Sequence, residues 1–485
     1  MLRRLLASLA ALPLGLAALP AQAIETVQLQ LPLLNLSFSV HLSELENPEA
    51  LWRGSSDLAD LNRASRGTLG RQLQEVFDTP LPVQTQQVVD QVVGTPLLQQ
   101  ALLAATTLGQ VHGLQGDLSG EAISRAVEQA SAQGPLTLLS FLRALPGESV
   151  SVDLPRALAA FKRMLAQRRQ AEQWLQQLSP VPTAASAAAL TTPLQRRTLM
   201  VPARHRPEPL EVIVLEPPQP APGRAVVISH GLWDSPEAFE GWGEQLARQG
   251  QRVLLPRHPG SDRSQQRAML SGETPPPGPE ELRLRPLDVS AVIDAIGAEQ
   301  VVVIGHSWGA TTALQLAGTQ PSARRLQQRC SDLQDPDRNI SWILQCSFLD
   351  AADRAGLADA RVRAVVAVSP PTSLLFDTGA AQTMQARALL VSGSRDWVVP
   401  PDPEALTPFS RNAGQGHQLV LVQGGDHFNL RARAGSDGGP LAPLLLAWTD
   451  AVFRAPGPLR PAAGAAPLLA PSGWGSSQLP LVLLP

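Results

Sequence analysis

The pattern of hydrophobic and polar positions changes near residue 195. Residues 57–178 are mostly patterned as helices, and residues 154–178 repeat apolar positions at helical spacing above a face rich in arginine and glutamine. The stretch LSFSVHL, residues 36–42, alternates apolar and polar positions, as a half-buried strand does. The sequence therefore predicts a mostly α-helical N-terminal domain over residues 24–178.

Beyond residue 195, short runs rich in valine and leucine alternate with helical stretches. The runs include LEVIVLEP, RAVVISHG, VVVIGHS, VRAVVAVSP, ALLVSGSRD and QLVLVQGGDH. Such alternation is typical of parallel strands with helices on both faces of the sheet. We therefore expect a doubly wound, mostly parallel α/β sheet over residues 196–454.

Two segments that flank this region differ from it in composition. Residues 179–195 are small, proline-bearing and nearly uncharged, which favours a linker. Residues 455–485 are rich in proline, glycine and alanine, which favours a disordered or loosely packed tail.

Residues 1–23 have the order of a secretory signal peptide. Arg3 and Arg4 precede an apolar run that ends at Ala21-Gln22-Ala23. The run is shorter than the roughly 20 residues that a membrane span needs, so cleavage after Ala23 is favoured over an uncleaved anchor. We expect a periplasmic or secreted protein with no transmembrane span after cleavage.

Composition and charge narrow the chemistry further. The formal net charge is −3 without a basic block, which gives nucleic-acid binding no support. Lys162 is the only lysine and the chain has no tyrosine, so a lysine Schiff base or a tyrosine acid is nearly excluded. Cys330 and Cys346 lie in one local segment without the spacing of a metal site. In an oxidising compartment we expect a disulfide between them, with two free thiols as the alternative.

One motif presents a serine between a strand and a helix. VVVIGHSWGATTALQLAG runs from four apolar residues into Gly305-His306-Ser307-Trp308-Gly309 and then into an alanine-rich stretch. Such a sharp turn forces unusual dihedral angles on the serine and leaves no room for side chains two positions away, which explains Gly305 and Gly309. We predict Ser307 as a nucleophile; the alternative is a tight turn that happens to hold a serine.

A serine nucleophile needs a base, and histidine is the usual one. Among the eight histidines, His427 follows the last predicted strand and is the best candidate. His306 and His258 compete. His306 adjoins the serine and is better placed to pack beneath the turn, and His258 precedes the serine in the chain.

The base needs a carboxylate that fixes its tautomer. Asp396 follows the strand ALLVSG and is the preferred acid. Asp377, after the preceding strand, is the rival, and Asp426 is too close to His427 along the backbone.

The developing oxyanion needs preplaced N–H donors. We expect one from Trp308, the residue after the nucleophile, and one from Leu232 in the loop ISHGLWDSP, which Gly231 turns. An ordinary glycine at a strand end is the alternative for this loop.

Residues 196–454 resemble dienelactone-hydrolase-type and platelet-activating-factor-acetylhydrolase-type α/β-hydrolases. The resemblance rests on the SHGL loop, RPLDVSAVIDAI, GHSWGATTALQLAG and VSGSRDWVVP. The order Ser307, Asp396, His427 is the one that α/β-hydrolases use. The resemblance implies an esterase that acts on acyl esters without a cofactor or metal. The acetylhydrolase relatives place the acid one strand earlier, which keeps Asp377 open.

The resemblance extends to two further segments. LSFSV, TPLLQQALL and LTLLSFLRALPGESVSVDL are similar to the extra domain of a group of exported cyanobacterial α/β-hydrolases, which implies an architecture and no substrate. Residues 320–360 lie where many relatives insert a lid, and Trp342, Ile343, Leu344 and Phe348 suit such a cover.

These observations lead us to expect a serine hydrolase that cleaves carboxylic esters of small molecules through an acyl-enzyme. The alternatives are a lactone, thioester or amide hydrolase, which use the same chemistry, and a non-catalytic binding protein on a hydrolase frame.

Overall fold

A computed structural model of the 485-residue chain describes residues 24–31, 36–68, 95–106, 109–113, 120–134, 137–183, 192–332, 334–412 and 414–485. The predicted signal peptide lies outside the described residues. The chain forms two compact units. The described residues of 1–29, 37–80 and 110–151 form the first, and those of 30–36, 81–109 and 152–485 form the second.

The first unit combines a small sheet with short helices. Its strands lie in the order β2-β1-β4-β3, with bounds β1 (Thr26–Leu31), β2 (Leu36–His41), β3 (Gly109–His112) and β4 (Ser149–Asp153). The predicted half-buried strand is therefore β2. Beside the sheet are α1 (Pro48–Arg53), α2 (Asp57–Ala64), α4 (Gly120–Gln133) and α5 (Leu138–Ala144). The expectation of a mostly helical domain understated the strands, because short segments carry little periodicity.

The second unit is built on a large mixed sheet. Its described strands are β5 (Gln195–Val201), β6 (Leu210–Glu216), β7 (Arg224–Ser229), β8 (Val253–Pro256), β9 (Gln300–His306), β10 (Val362–Val368), β11 (Arg387–Gly393), β12 (Gln418–Val422) and β13 (Leu481–Leu483). They lie in the order β13-β12-β11-β10-β9-β7-β8-β6-β5. Neighbours from β8 through β12 pair in parallel, and β5, β6 and β13 add antiparallel pairings. The predicted mostly parallel α/β sheet is confirmed.

Alternate residues of each central strand enter different cores. Val301 and Val303 of β9 belong to one buried cluster, and Val302 and Ile304 belong to the other. Because side chains alternate across a strand, a central strand covered on both faces is apolar throughout. This explains the continuous apolar runs in the sequence.

Helices cover both faces of this sheet. The helices of the second unit are α3 (Pro96–Thr106), α6 (Leu154–Gln177), α7 (Glu240–Arg248), α8 (Arg263–Leu270), α9 (Glu281–Ile296), α10 (Trp308–Leu316), α11 (Ala323–Arg329), α12 (Ser341–Ser347), α13 (Pro401–Glu404), α14 (Leu406–Arg411) and α15 (Ala442–Arg454). Short 3-10 helices span Leu42–Leu45 in the first unit and Pro236–Phe239, Ala352–Arg354 and Ala380–Thr383 in the second.

Two helices that precede the predicted linker belong to the second unit. These are α3 and α6, so the expected boundary at residue 178 differs from the observed division. Ala171 of α6 is fully buried in one of the two cores beside the sheet. An amphipathic pattern predicts a buried helix face but does not say which core buries it.

The C-terminal residues 455–485 pack onto the sheet, which corrects the expectation of a loose tail. Leu459, Leu469 and Trp474 are buried in the core that also holds α7 and α15. The last strand, β13, pairs with β12. Within the predicted linker, the Val181 N–H donates to the Leu481 carbonyl; residues 184–191 lie outside the described residues. A few large apolar side chains are enough to hold the segment on the core, although its composition is typical of a disordered tail.

No helix in the described part of the chain combines the length and apolarity needed to cross a bilayer.

Candidate active site

Ser307 occupies a strained turn between β9 and α10. Its φ of 56° and ψ of −123° lie outside the regions that most residues adopt. A Cβ on Gly305 would lie 2.0 Å from the Gly309 carbonyl oxygen, and a Cβ on Gly309 would lie 2.0 Å from the Ser229 carbonyl oxygen. Only glycine fits at either position, as the motif predicts.

Gly309→Ala is expected to lower the free energy of unfolding by about 3 kcal/mol or more, because its methyl group would meet main-chain oxygen atoms that cannot rotate away. Urea titration measures the change. Gly278→Ala is the matched control, since a Cβ at Gly278 meets nothing within 4 Å. Equal stability of the two variants would contradict the close packing of the turn.

His427 and Asp396 are hydrogen-bonded at the ends of neighbouring strands. The His427 Nδ1 atom lies 2.9 Å from Asp396 Oδ2. The N–H groups of Val398 and Val399 donate to the other oxygen, Asp396 Oδ1, at 3.0 and 2.8 Å. Asp396 is fully buried, so its carboxylate is held in one orientation. A carboxylate on Nδ1 leaves Nε2 of a neutral histidine as the proton acceptor.

Ser307 and His427 line one cavity of about 500 Å³. This volume falls within the range of small-molecule sites. Much of its surface is apolar, and the loop after β7 forms one edge. The side chains from the insert that reach it are Ile340, Ser341, Ile343 and Leu344.

The predicted oxyanion loop lies against the serine. A Cβ on Gly231 would be 3.0 Å from the Ser307 Cβ, and Leu232 lines the same cavity. Within the described part of the chain, neither the Leu232 nor the Trp308 N–H donates a hydrogen bond. Both donors therefore remain available to an oxygen atom of a bound molecule.

The rival acids have other partners. Asp377 pairs with Arg324 at 3.0 Å and lines a different cavity. Asp426 accepts hydrogen bonds from the N–H groups of Phe428 and Asn429. Among the described contacts, neither carboxylate meets His427.

His306 packs beneath the turn, as its sequence position predicts. Its Nε2–H donates to the His427 carbonyl oxygen at 2.9 Å, and the two rings are 4.8 Å apart. Burial, together with the nearby His427, holds the pKa of His306 well below its ordinary value. His306 therefore stays neutral and supports the position of His427.

His258 belongs to a second serine–histidine–aspartate arrangement, which is entirely buried. Ser229 Oγ lies 2.9 Å from His258 Nε2, and His258 Nδ1 lies 2.8 Å from Asp288 Oδ2. All three residues are inaccessible, and none lines the cavity at Ser307. Burial lowers the pKa of His258 to about 4. Without access to a substrate, this arrangement can only stabilise the fold.

A buried arginine joins the two sides of the predicted oxyanion site. Arg285 Nη2 donates to the His230 carbonyl oxygen, and the guanidinium group lies 4.8 Å from the centre of the Trp308 ring. Burial lowers the pKa of Arg285 to about 9. Arg285 thus contacts both the residue before Gly231 and the residue after Ser307. Nothing local in the sequence distinguishes it from Arg283, the other arginine of α9.

The disulfide between Cys330 and Cys346 is present, as predicted. It joins the end of α11 to α12 within the insert. Ile343 and Leu344 line the cavity, but Trp342 and Phe348 point into the core instead of covering it. The Trp342 Nε1–H donates to Ser373 Oγ, and Phe348 packs on Trp308. Of the four side chains expected to cover the pocket, Ile343 and Leu344 line the cavity, and Trp342 and Phe348 do not.

Two family models match the chain. Residues 224–333 match the family described as alpha/beta hydrolase fold, and residues 23–153 match the family described as alpha/beta hydrolase of unknown function. The first match covers the strand before Gly231 and the turn at Ser307.

Curated relatives match about a fifth of the chain. "Epoxide hydrolase B" of Mycobacterium tuberculosis is 34% identical over 113 residues, which are 22% of this chain and 28% of that protein. "AB hydrolase superfamily protein YfhM" of Bacillus subtilis is 33% identical over 104 residues, which are 20% of this chain and 32% of that protein. The chain thus spans less than a third of the length of these relatives.

The sheet has the architecture of the alpha/beta hydrolase fold. The matched stretches are similar to proteins of the alpha/beta hydrolase superfamily.

Proposed function

We propose that the protein is a serine hydrolase that cleaves carboxylic esters through an acyl-enzyme. One observation carries the proposal: His427 Nδ1 lies 2.9 Å from Asp396 Oδ2, and His427 lines the same cavity as Ser307. Asp396 holds the tautomer of His427 in which Nε2 accepts a proton.

In the first half of the reaction, Ser307 Oγ attacks the carbonyl carbon of the ester and gives its proton to His427 Nε2. The N–H groups of Leu232 and Trp308 stabilise the oxyanion. His427 then protonates the departing alkoxide as the bond to the alcohol breaks. In the second half, His427 deprotonates a water molecule that attacks the acyl-enzyme. His427 then returns this proton to Ser307 Oγ as the bond to the acyl group breaks and the carboxylic acid leaves.

The chemistry of a serine nucleophile favours an ester over an epoxide, although one relative is named as an epoxide hydrolase. Attack of a serine oxygen on an epoxide carbon produces an ether, which has no carbonyl for water to attack. The enzyme would stop after one turnover. Attack on an ester produces an acyl-serine, which water can cleave.

A panel of p-nitrophenyl esters of increasing chain length tests the proposal on the wild-type protein. We expect hydrolysis of at least part of the panel. Inactivity on every member, together with inactivity on lactones, thioesters and amides, would favour a binding protein on a hydrolase frame.

We also propose that the protein is exported after cleavage behind Ala23. The disulfide supports this, because such bonds persist in oxidising compartments. N-terminal sequencing of protein recovered from the native host should begin at Ile24, and a chain that keeps residues 1–23 would contradict cleavage.

Loss of the disulfide is expected to change activity on bulky esters more than on acetates. The bridge closes a loop with a sequence separation of 16, for which chain entropy gives about 3 kcal/mol. That stabilisation acts on the insert, whose residues Ile343 and Leu344 line the cavity. The double variant Cys330→Ser, Cys346→Ser should therefore lower kcat/KM for octanoate more than for acetate, as p-nitrophenyl ester assays measure. An equal loss on both esters would argue against this role.

A further inference from the structure

Helix α3 contributes side chains to the cavity at Ser307, although it lies about 200 residues earlier in the chain. Leu97 and Ala101, which are four residues apart on one helix face, both line the cavity. Leu97 is only 8% exposed. Gln99 lies on a different face of the helix and is exposed.

The insert and α3 form a continuous apolar wall. Helix α3 packs against α12 within the second unit. Ile343 and Leu344 of α12 line the same cavity as the two α3 residues. A group bound beyond Ser307 would therefore contact aliphatic side chains from both helices.

Charged groups at the cavity already have partners. Arg431 donates to Asp234 Oδ2 at 2.7 Å, and no other Asp, Glu, Lys or Arg among the described residues lines this cavity. The Ser341 hydroxyl donates to Glu404 at 3.0 Å. A charged group on the substrate would thus lose its hydration without gaining a free counter-charge, which is unfavourable.

We propose that α3 is a wall of the substrate site and that the preferred ester carries a neutral, extended hydrocarbon group held between α3 and α12. This inference rests on the proposed ester hydrolysis and adds its substrate class. It gives a segment within the N-terminal family match a direct part in specificity. The hydrocarbon group belongs to the acyl or the alcohol side of the ester, and the two sides are separated by the test.

The test compares Ala101→Trp with wild type on p-nitrophenyl octanoate and acetate, using full-length protein. The indole would fill space that the chain occupies. Each methylene group that loses its apolar contacts costs about fourfold. If the indole displaces one to two methylene groups of octanoate, the octanoate-to-acetate ratio of kcat/KM should fall about tenfold. Octyl acetate, compared with ethyl acetate, reports the alcohol side in the same way. A fall in either comparison supports the proposal and identifies the side.

Gln99→Trp is the matched control, because it adds the same side chain to an exposed position of the same helix. It should keep the wild-type ratios. Leu97→Ala provides a second variant in case Ala101→Trp does not fold, and it should move the preference toward longer chains. Thermal unfolding checks the fold of each variant.

The outcomes separate the two proposals. A wild-type protein that hydrolyses no ester contradicts the proposed function. An active wild type whose ratios stay unchanged in both Ala101→Trp and Leu97→Ala contradicts the role of α3. Equal changes in Gln99→Trp and Ala101→Trp would also overturn it, since they would reflect the helix as a whole rather than the face at the cavity.

Discussion

Ser307→Ala is expected to lower kcat for ester hydrolysis by about five to six orders of magnitude, the scale on which serine hydrolases lose activity when the nucleophile is removed. The variant keeps the oxyanion donors but has no oxygen that can form the acyl-enzyme. The fold should be retained, because the Ser307 side chain donates no hydrogen bond to the described residues and alanine replaces it without added volume. Initial rates and thermal unfolding measure both effects.

The control for this variant uses the buried arrangement around His258. Ser229→Ala removes the hydroxyl group that meets His258 Nε2 at 2.9 Å, yet this group cannot reach a substrate. We expect a far smaller loss of activity than in Ser307→Ala. If a folded Ser229→Ala protein lost kcat by several orders of magnitude while Ser307→Ala stayed active, Ser229 and not Ser307 would be the nucleophile.

Asp396→Asn is expected to lower kcat by about four orders of magnitude. The N–H groups of Val398 and Val399 point at Oδ1, so an asparagine would keep its oxygen there and turn its amide N–H toward His427 Nδ1. His427 would then carry its proton on Nε2 and could not accept one from Ser307. Turnover of a p-nitrophenyl ester, followed with pH, measures the effect.

Asp377→Asn tests the rival position. Because Asp377 pairs with Arg324 and lines another cavity, its loss should change kcat only modestly. The reverse result, with Asp377→Asn nearly inactive and Asp396→Asn active, would move the acid to the earlier strand.

The sequence was most informative where the constraint is local. Gly305 and Gly309 each lie two positions from Ser307, and their lack of side chains follows from contacts inside one turn. The apolar strands predicted the parallel sheet because a strand that is buried on both faces is apolar at nearly every position. His427 and Asp396 were predicted as candidates because each follows such a strand, and the structure brings them within hydrogen-bonding distance.

Contacts between distant segments were not predictable in the same way. Nothing around Leu97 indicates that it lines the cavity at Ser307, because that contact depends on how α3 packs on α12. Trp342 and Phe348 point inward for a similar reason: a helix as short as α12 has too few turns for its pattern to show which face is covered. The C-terminal segment illustrates the same limit, since Trp474 is buried despite the composition around it.

Contact geometry alone does not identify a catalytic site, as the buried residues Ser229, His258 and Asp288 show. Their two hydrogen bonds, at 2.9 and 2.8 Å, resemble those of a catalytic serine. What separates them from Ser307 and His427 is the cavity, which only the latter pair reaches. Neither the position of a residue at a strand end nor the spacing of a motif shows whether its side chain is accessible to a substrate.

Labelling with a fluorophosphonate, followed by peptide mass spectrometry, determines directly whether Ser307 is the activated nucleophile. The reagent reacts preferentially with a serine that a neighbouring base has activated. We expect one covalent adduct, on Ser307 in the peptide that contains GHSWG. It should be lost in Ser307→Ala and strongly reduced in Asp396→Asn. An adduct on another residue, or an unlabelled Ser307 in protein that hydrolyses esters, would contradict this assignment.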